Sequence, residues 1–257
     1  MTSLLVAGSN LVLGVVYLTY GLIMVRELKL GWRHSGFSHF TTAWIVIALT
    51  CGMHHVDHGL HGLVSGRDGG GLDLVAVLVG APPGIAWFLL RVESLLGGRG
   101  DRFVSGTPVW LEALPAATAS YTLLIVAGTI LTVDPGDVFA PRIVPNLLLV
   151  LLYGATSYVF LRTQLRLRPV IGGWSTSGLT VSALMYTCAV MHAVFAAYAN
   201  TGRYDLDWHG AMIDVVSVPA AIYFLWVAYG HYHGWIVDDR GAASVLPTDT
   251  RGQVAVP

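Results

Sequence analysis

The chain has 257 residues, of which 54% are hydrophobic and only 11% charged, with a formal net charge of −1 and a mean hydropathy of +0.65. An ordinary soluble domain carries roughly 25% charged residues, so this composition excludes a soluble globular fold and predicts a multi-pass protein of the cell membrane. The 14 basic residues are scattered over short segments rather than gathered in a patch, which excludes nucleic acid as a partner.

Apolar runs near 4–25, 41–63, 72–96, 109–133, 143–162, 176–199 and 209–233 are each long enough to cross a bilayer, which takes about 20 residues. The fold class predicted is therefore an all-α integral membrane protein of seven transmembrane helices. Met1-Thr2-Ser3 lacks a basic leader region and a small-residue cleavage site, so the first run reads as a retained helix. Prolines fall inside the third run (Pro82, Pro83), the fourth (Pro115) and the seventh (Pro219); membrane helices tolerate them where neighbours satisfy the freed carbonyls. Basic residues follow the odd-numbered runs (Arg26, Lys29, Arg33; Arg91, Arg99, Arg102; Arg162, Arg166, Arg168; Arg240, Arg251) and are sparse after the even ones (Arg67, Arg142, Arg203). This bias predicts an outside N-terminus and a cytoplasmic C-terminus. His34 and His39 are expected to be solvated in the first cytoplasmic loop. His231 and His233, beside Trp235, read as part of an interfacial belt, and Glu93 and Glu112 as partners of Arg91, Arg99 or Arg102.

Residues 1–235 form the predicted heptahelical domain and 236–257 a disordered cytoplasmic tail. Within the domain the chain repeats itself. An offset of 136 aligns Asn10 with Asn146, Tyr17 with Tyr153, Arg26 with Arg162, Pro83 with Pro219 and Phe88 with Phe224. One slipped residue aligns Thr50-Cys51 with Thr187-Cys188, and a second aligns Met53-His54 with Met191-His192. The pattern predicts a 3+1+3 duplication: repeat one at 1–98, a linker helix at 105–135 and repeat two at 141–235. This plan resembles that of SWEET sugar transporters, although no Pro-Gln signature stands at the expected places; the resemblance implies a binding site between the repeats.

The second run carries Cys51-Gly52-Met53-His54-His55-Val56-Asp57-His58-Gly59-Leu60-His61. With about 100° between successive helical residues, Cys51, His54, Asp57, His58 and His61 share one face, and His55 lies at its margin. Ionisable groups are costly at membrane depth, about 2.5–3.5 kcal/mol for an Asp, Lys or Arg on the insertion scale. Their crowding there points to coordination of a transition metal, with further ligands from the sixth and seventh helices. The metal ligands expected are His54, His58, His61, His192, His209, Asp57 and Asp214, all in the extracytoplasmic half. Asp57 and Asp214 are open between direct ligation and holding an imidazole in its tautomer. Cys51 and Cys188 lie inside predicted spans, which argues against a disulfide framework.

Three functional classes follow. The first is binding, sensing or transport of a metal, with copper favoured by nearby thiol and thioether and zinc or iron by carboxylate. The Met-His pairs resemble the MHYT membrane sensor motif, which implies copper, but neither pair continues as Tyr-Thr. The second is a membrane metalloenzyme acting on a lipid, either a zinc hydrolase or an iron or copper oxidoreductase. It would be similar to seven-helix ceramidases and adiponectin receptors, except that the seventh helix has no His-x-x-x-His. The third is haem-based electron transfer with His54 and His192 as axial ligands. The partners expected are the lipid bilayer and the metal ion; assembly as a homo-oligomer or as a membrane-complex subunit stays open.

Overall fold

The structure, a computed structural model, describes residues 2–65, 70–105, 109–201 and 208–236; the side chains of residues 34, 35, 65 and 208–210 also lie outside the description. Seven helices are present: α1 (Thr2–Ser35), α2 (His39–Ser65), α3 (Gly71–Leu95), α4 (Leu114–Thr132), α5 (Ile143–Ile171), α6 (Thr176–Asn200) and α7 (Trp208–His233). Six are long and apolar enough to cross a membrane. The exception is α2, whose 27 residues reach about 40 Å at 1.5 Å per residue but whose histidines lower its hydropathy.

The helices pack as α1 on α2 and α3, α5 on α6 and α7, and crosswise as α2 on α7 and α3 on α6, while α4 leans on α5 and α6. Helix α2 runs antiparallel to α1 along its length through small residues. Ala7 approaches Gly59 and Gly62 at one end, Gly14 meets Gly52 and Val56 in the middle, and Gly21 meets Ala48 and Leu49 at the other. Close backbone approach of this kind is a main source of helix association in lipid. An aromatic cluster ties the two halves together, with Trp44 at 4.5 Å from Trp87 and 4.6 Å from Phe224, ring centre to ring centre. On α4, Tyr121, Leu123, Leu124 and Leu131 remain exposed, as residues facing lipid would be.

Helices α1 and α5 both outrun the apolar segments that announce them. The first continues past residue 25 through Arg26, Lys29 and Arg33, and the fifth past 162 through Arg166 and Arg168. Apolar length measures the bilayer crossed, not the helix, which ends only where the backbone is capped. The caps are alike: Gly36 (φ 70°) and Gly172 (φ 72°) take the left-handed conformation that glycine adopts without strain, and each donates its N–H four residues back, to the carbonyls of Trp32 and Arg168. The following helices also start alike. The Ser38 hydroxyl accepts from the Thr41 N–H and the Ser175 hydroxyl from the Gly178 N–H, each at 3.0 Å, as N-caps do.

The α3–α4 connection is fastened to the α5–α6 corner. Phe103–Val104 (β1) pairs antiparallel with Trp174–Ser175 (β2), and the Asp101 carboxylate accepts from the Ser175 hydroxyl at 2.6 Å and the Ser177 N–H at 2.9 Å. Glu93 takes a two-point contact from Arg102, as expected, whereas Glu112 pairs at 2.6 Å with Arg168 of α5 rather than with Arg91, Arg99 or Arg102.

Two placements differ from expectation. His39 is not a solvated loop residue. The connection between α1 and α2 is only Gly36–Ser38, so His39 opens α2, half-buried, with Nδ1 2.9 Å from the Tyr223 hydroxyl and its ring against Phe37 and Trp226. Arg142, counted above as a loop charge, is the buried N-cap residue of α5. The His34 side chain and tail residues 237–257 lie outside the described residues.

Candidate metal centre

Three helices meet around His54, His192 and Asp214, which are all buried, the last completely. One potential ligand atom from each lies within 4.8 Å of the other two. His54 comes from the middle of α2, His192 from α6 and Asp214 from the first turns of α7. Crosswise packing of α2 on α7 makes the meeting possible, and the rings of His54 and His192 sit 4.9 Å apart.

The carboxylate is held from α5. Asn146 donates from Nδ2 to Asp214 Oδ2 at 2.8 Å and to the Arg142 carbonyl at 2.7 Å. With both amide hydrogens committed, Asn146 Oδ1 must accept from His192 Nδ1, 2.6 Å away. That bond puts the His192 proton on Nδ1 and the lone pair on Nε2, the tautomer a metal needs. Arg142 Nε lies 3.8 Å from Asp214 Oδ2, supplying positive charge where a lone carboxylate would be costly.

The opposite carboxylate oxygen is not provided for. Asp214 Oδ1 lies 3.2 Å from His54 Nδ1, yet out of line for a hydrogen bond. As a result Asp214 Oδ1 and both ring nitrogens of His54 are buried without a hydrogen-bond partner among the described residues. Buried polar atoms are ordinarily satisfied, and leaving one unmade costs about 1–3 kcal/mol. Three such atoms converging with an oriented imidazole form a group of two nitrogens and one oxygen that could hold a metal ion.

Of the other sequence candidates, His58 lies one turn from His54, at 4.5 Å between ring centres, and stacks on Phe195 at 4.2 Å. Asp57 is half-buried and His61 exposed; neither joins the cluster of three. His209 belongs to the backbone of α7, but its side chain lies outside the described residues. Met53 is 50% exposed, on the far side of α2. His55 turns away to α1, where Nδ1 lies 2.8 Å from Asn10 Oδ1 and the ring packs edge-on to Tyr17.

The supporting role of Asn146 and Arg142 was not foreseen from the sequence. The available signal was an amide one helical turn from an arginine at the start of an apolar run, which reads equally well as a loop charge beside an interhelical hydrogen bond.

Comparison of the chain with protein-family models, with curated proteins and with solved structures finds no match. The functional reading therefore rests on the chain's own geometry.

Proposed function

We propose that this is a seven-span membrane protein that binds one transition-metal ion through His54, His192 and Asp214, with His58 beside them, and works in metal binding, sensing or passage. The observation that carries the reading is that three converging buried ligand atoms, His54 Nδ1 and Nε2 and Asp214 Oδ1, make no hydrogen bond among the described residues. Two imidazoles with one carboxylate suit zinc, iron(II) or copper(II). The neighbouring cavity, lined by His54, His55, His192 and Phe195 among others, measures about 10 Å³. That is near the lower limit for one water molecule, which favours handling of an ion over hydrolysis of a lipid. A porphyrin would have to pass between two rings whose centres are 4.9 Å apart, so haem has less support.

Elemental analysis of the purified protein tests the proposal. Wild type is expected to hold about one ion per chain, with His54→Ala, His192→Ala and Asp214→Ala losing it and His61→Ala and His233→Ala keeping it. Equal metal in all six proteins, or none in wild type after growth in metal-replete medium, would falsify the assignment.

We also infer that the two halves descend from a duplication, and that both contribute to the site. The shared helix caps support an offset of 136 up to Gly36 and Gly172, and of 137 from Ser38 and Ser175 onward, which puts the one extra residue in the second loop and pairs Pro82 and Trp87, in place of Pro83 and Phe88, with Pro219 and Phe224. Under this register Asn10–His55 and Asn146–His192 are equivalent bonds. Each asparagine also donates to the carbonyl four residues earlier, Val6 or Arg142, and each histidine lies by the matching tyrosine, Tyr17 or Tyr153. His55 then replaces His54 as the counterpart of His192, and His54 corresponds to Met191. The carboxylate Asp214 corresponds to Val77, and both are buried. Each half thus keeps an oriented imidazole, but the carboxylate is found only in the second half and the extra histidine, His54, only in the first.

A further inference from the structure

Below the His–Asp cluster the cavity wall changes character. Cys51 from α2 and Cys188 from α6, equivalent positions in the duplicated register, both line it, together with the thioether residue Met191 and Tyr153. The two thiols are free and line the same two neighbouring cavities, one from α2 and one from α6. Cys51 Sγ is also 3.4 Å from the Tyr153 hydroxyl. His54, whose ring nitrogens are unpartnered, opens onto the same space.

We propose that Cys51 and Cys188 form a second metal subsite, one for a soft monovalent ion of the copper(I) or silver(I) type. Thiolate and thioether sulfur select such ions over zinc or iron, and monovalent copper and silver accept as few as two ligands, so two thiols lining one cavity suffice. The neighbouring carboxylate cluster is hard by comparison, so the two subsites sort ions by chemistry. Binding one ion to both thiols displaces up to two protons, and affinity therefore rises with pH. Tyr153 can direct its hydroxyl hydrogen at the Cys51 sulfur, easing the negative charge that two thiolates and one monovalent cation leave behind. A small cavity with no bulky ligand in reach suits a bare ion. Plain packing would fill the space with methyl groups and would not require two sulfurs from equivalent helices to meet there.

The inference does not depend on the divalent site, and the two can fail separately. Full-length protein in detergent, kept reduced, would be titrated with copper(I) in competition with a chromophoric copper(I) chelator, and the loaded protein studied by X-ray absorption. One ion per chain with sulfur neighbours is expected. Cys51→Ser and Cys188→Ser should each lose binding while Asp214→Ala retains it, and zinc binding should follow the opposite pattern. Nitrogen and oxygen neighbours only, or copper(I) uptake unchanged in the Cys51→Ser/Cys188→Ser protein, would overturn the proposal. The absorption spectrum of the loaded wild type decides the matter even if a serine variant does not fold.

Discussion

The side chain on which the His–Asp cluster turns is Asn146, which binds neither metal nor substrate in the proposed scheme. It fixes the His192 proton on Nδ1 and occupies one oxygen of Asp214, so a single amide orients two ligands from two other helices. Loss of such a supporting bond typically costs about 10–100-fold in metal affinity. Asn146→Ala is expected to fall in that range, measured by zinc competition with a fluorescent chelator. Asn10→Ala removes the equivalent bond to His55, away from the cluster, and should leave zinc affinity unchanged. The sequence revealed His54, His192 and Asp214 because ionisable residues in apolar runs stand out against their surroundings. It did not separate them from Asp57 and His61. One helical face spans several neighbours, and the position of each along the bundle, which decides whether it meets α6 and α7, is not written in its angular phase.

Among the elements, the α1–α2 pair depends most on close packing. A side chain at Gly52 would run into Leu18, including its backbone nitrogen at 3.0 Å, and one at Gly14 into Val56 and the Gly52 carbonyl. Overpacking a well-packed interface costs about 1–3 kcal/mol. Gly52→Leu should lower the thermal midpoint in detergent, whereas Gly8→Leu, where nothing lies within 4 Å, should not. Because His54 and His55 sit within one turn of Gly52, the same variant is expected to weaken metal binding by displacing α2. Hydropathy located all seven helices, but it could not report that α1 and α5 extend beyond the apolar region or that α1 passes to α2 through three residues. Those features depend on caps, which involve one or two residues and leave no periodic trace.

For the whole molecule, the decisive matter is how many times the chain crosses. Six helices meet the length and hydropathy of a span, and six crossings would put both termini on one side; seven would put them on opposite sides. Helix α2 lies antiparallel against α1 over its length, so a crossing α1 carries α2 across with it, and His54 is buried against His192 of α6 and Asp214 of α7. A tag at the N-terminus should therefore be reached by impermeant reagent in intact cells and a C-terminal tag only after permeabilisation. Both tags reached together would refute seven crossings.

The narrowness of the cavity governs time as well as fit. At about 10 Å³ it cannot admit an ion wearing its hydration shell, so each water must be exchanged for a side chain on the way in and recovered on the way out. Phe195, which lines that space, stacks on His58 at 4.2 Å, so under the proposed reading exchange of an ion there is expected to be slower than at an open surface.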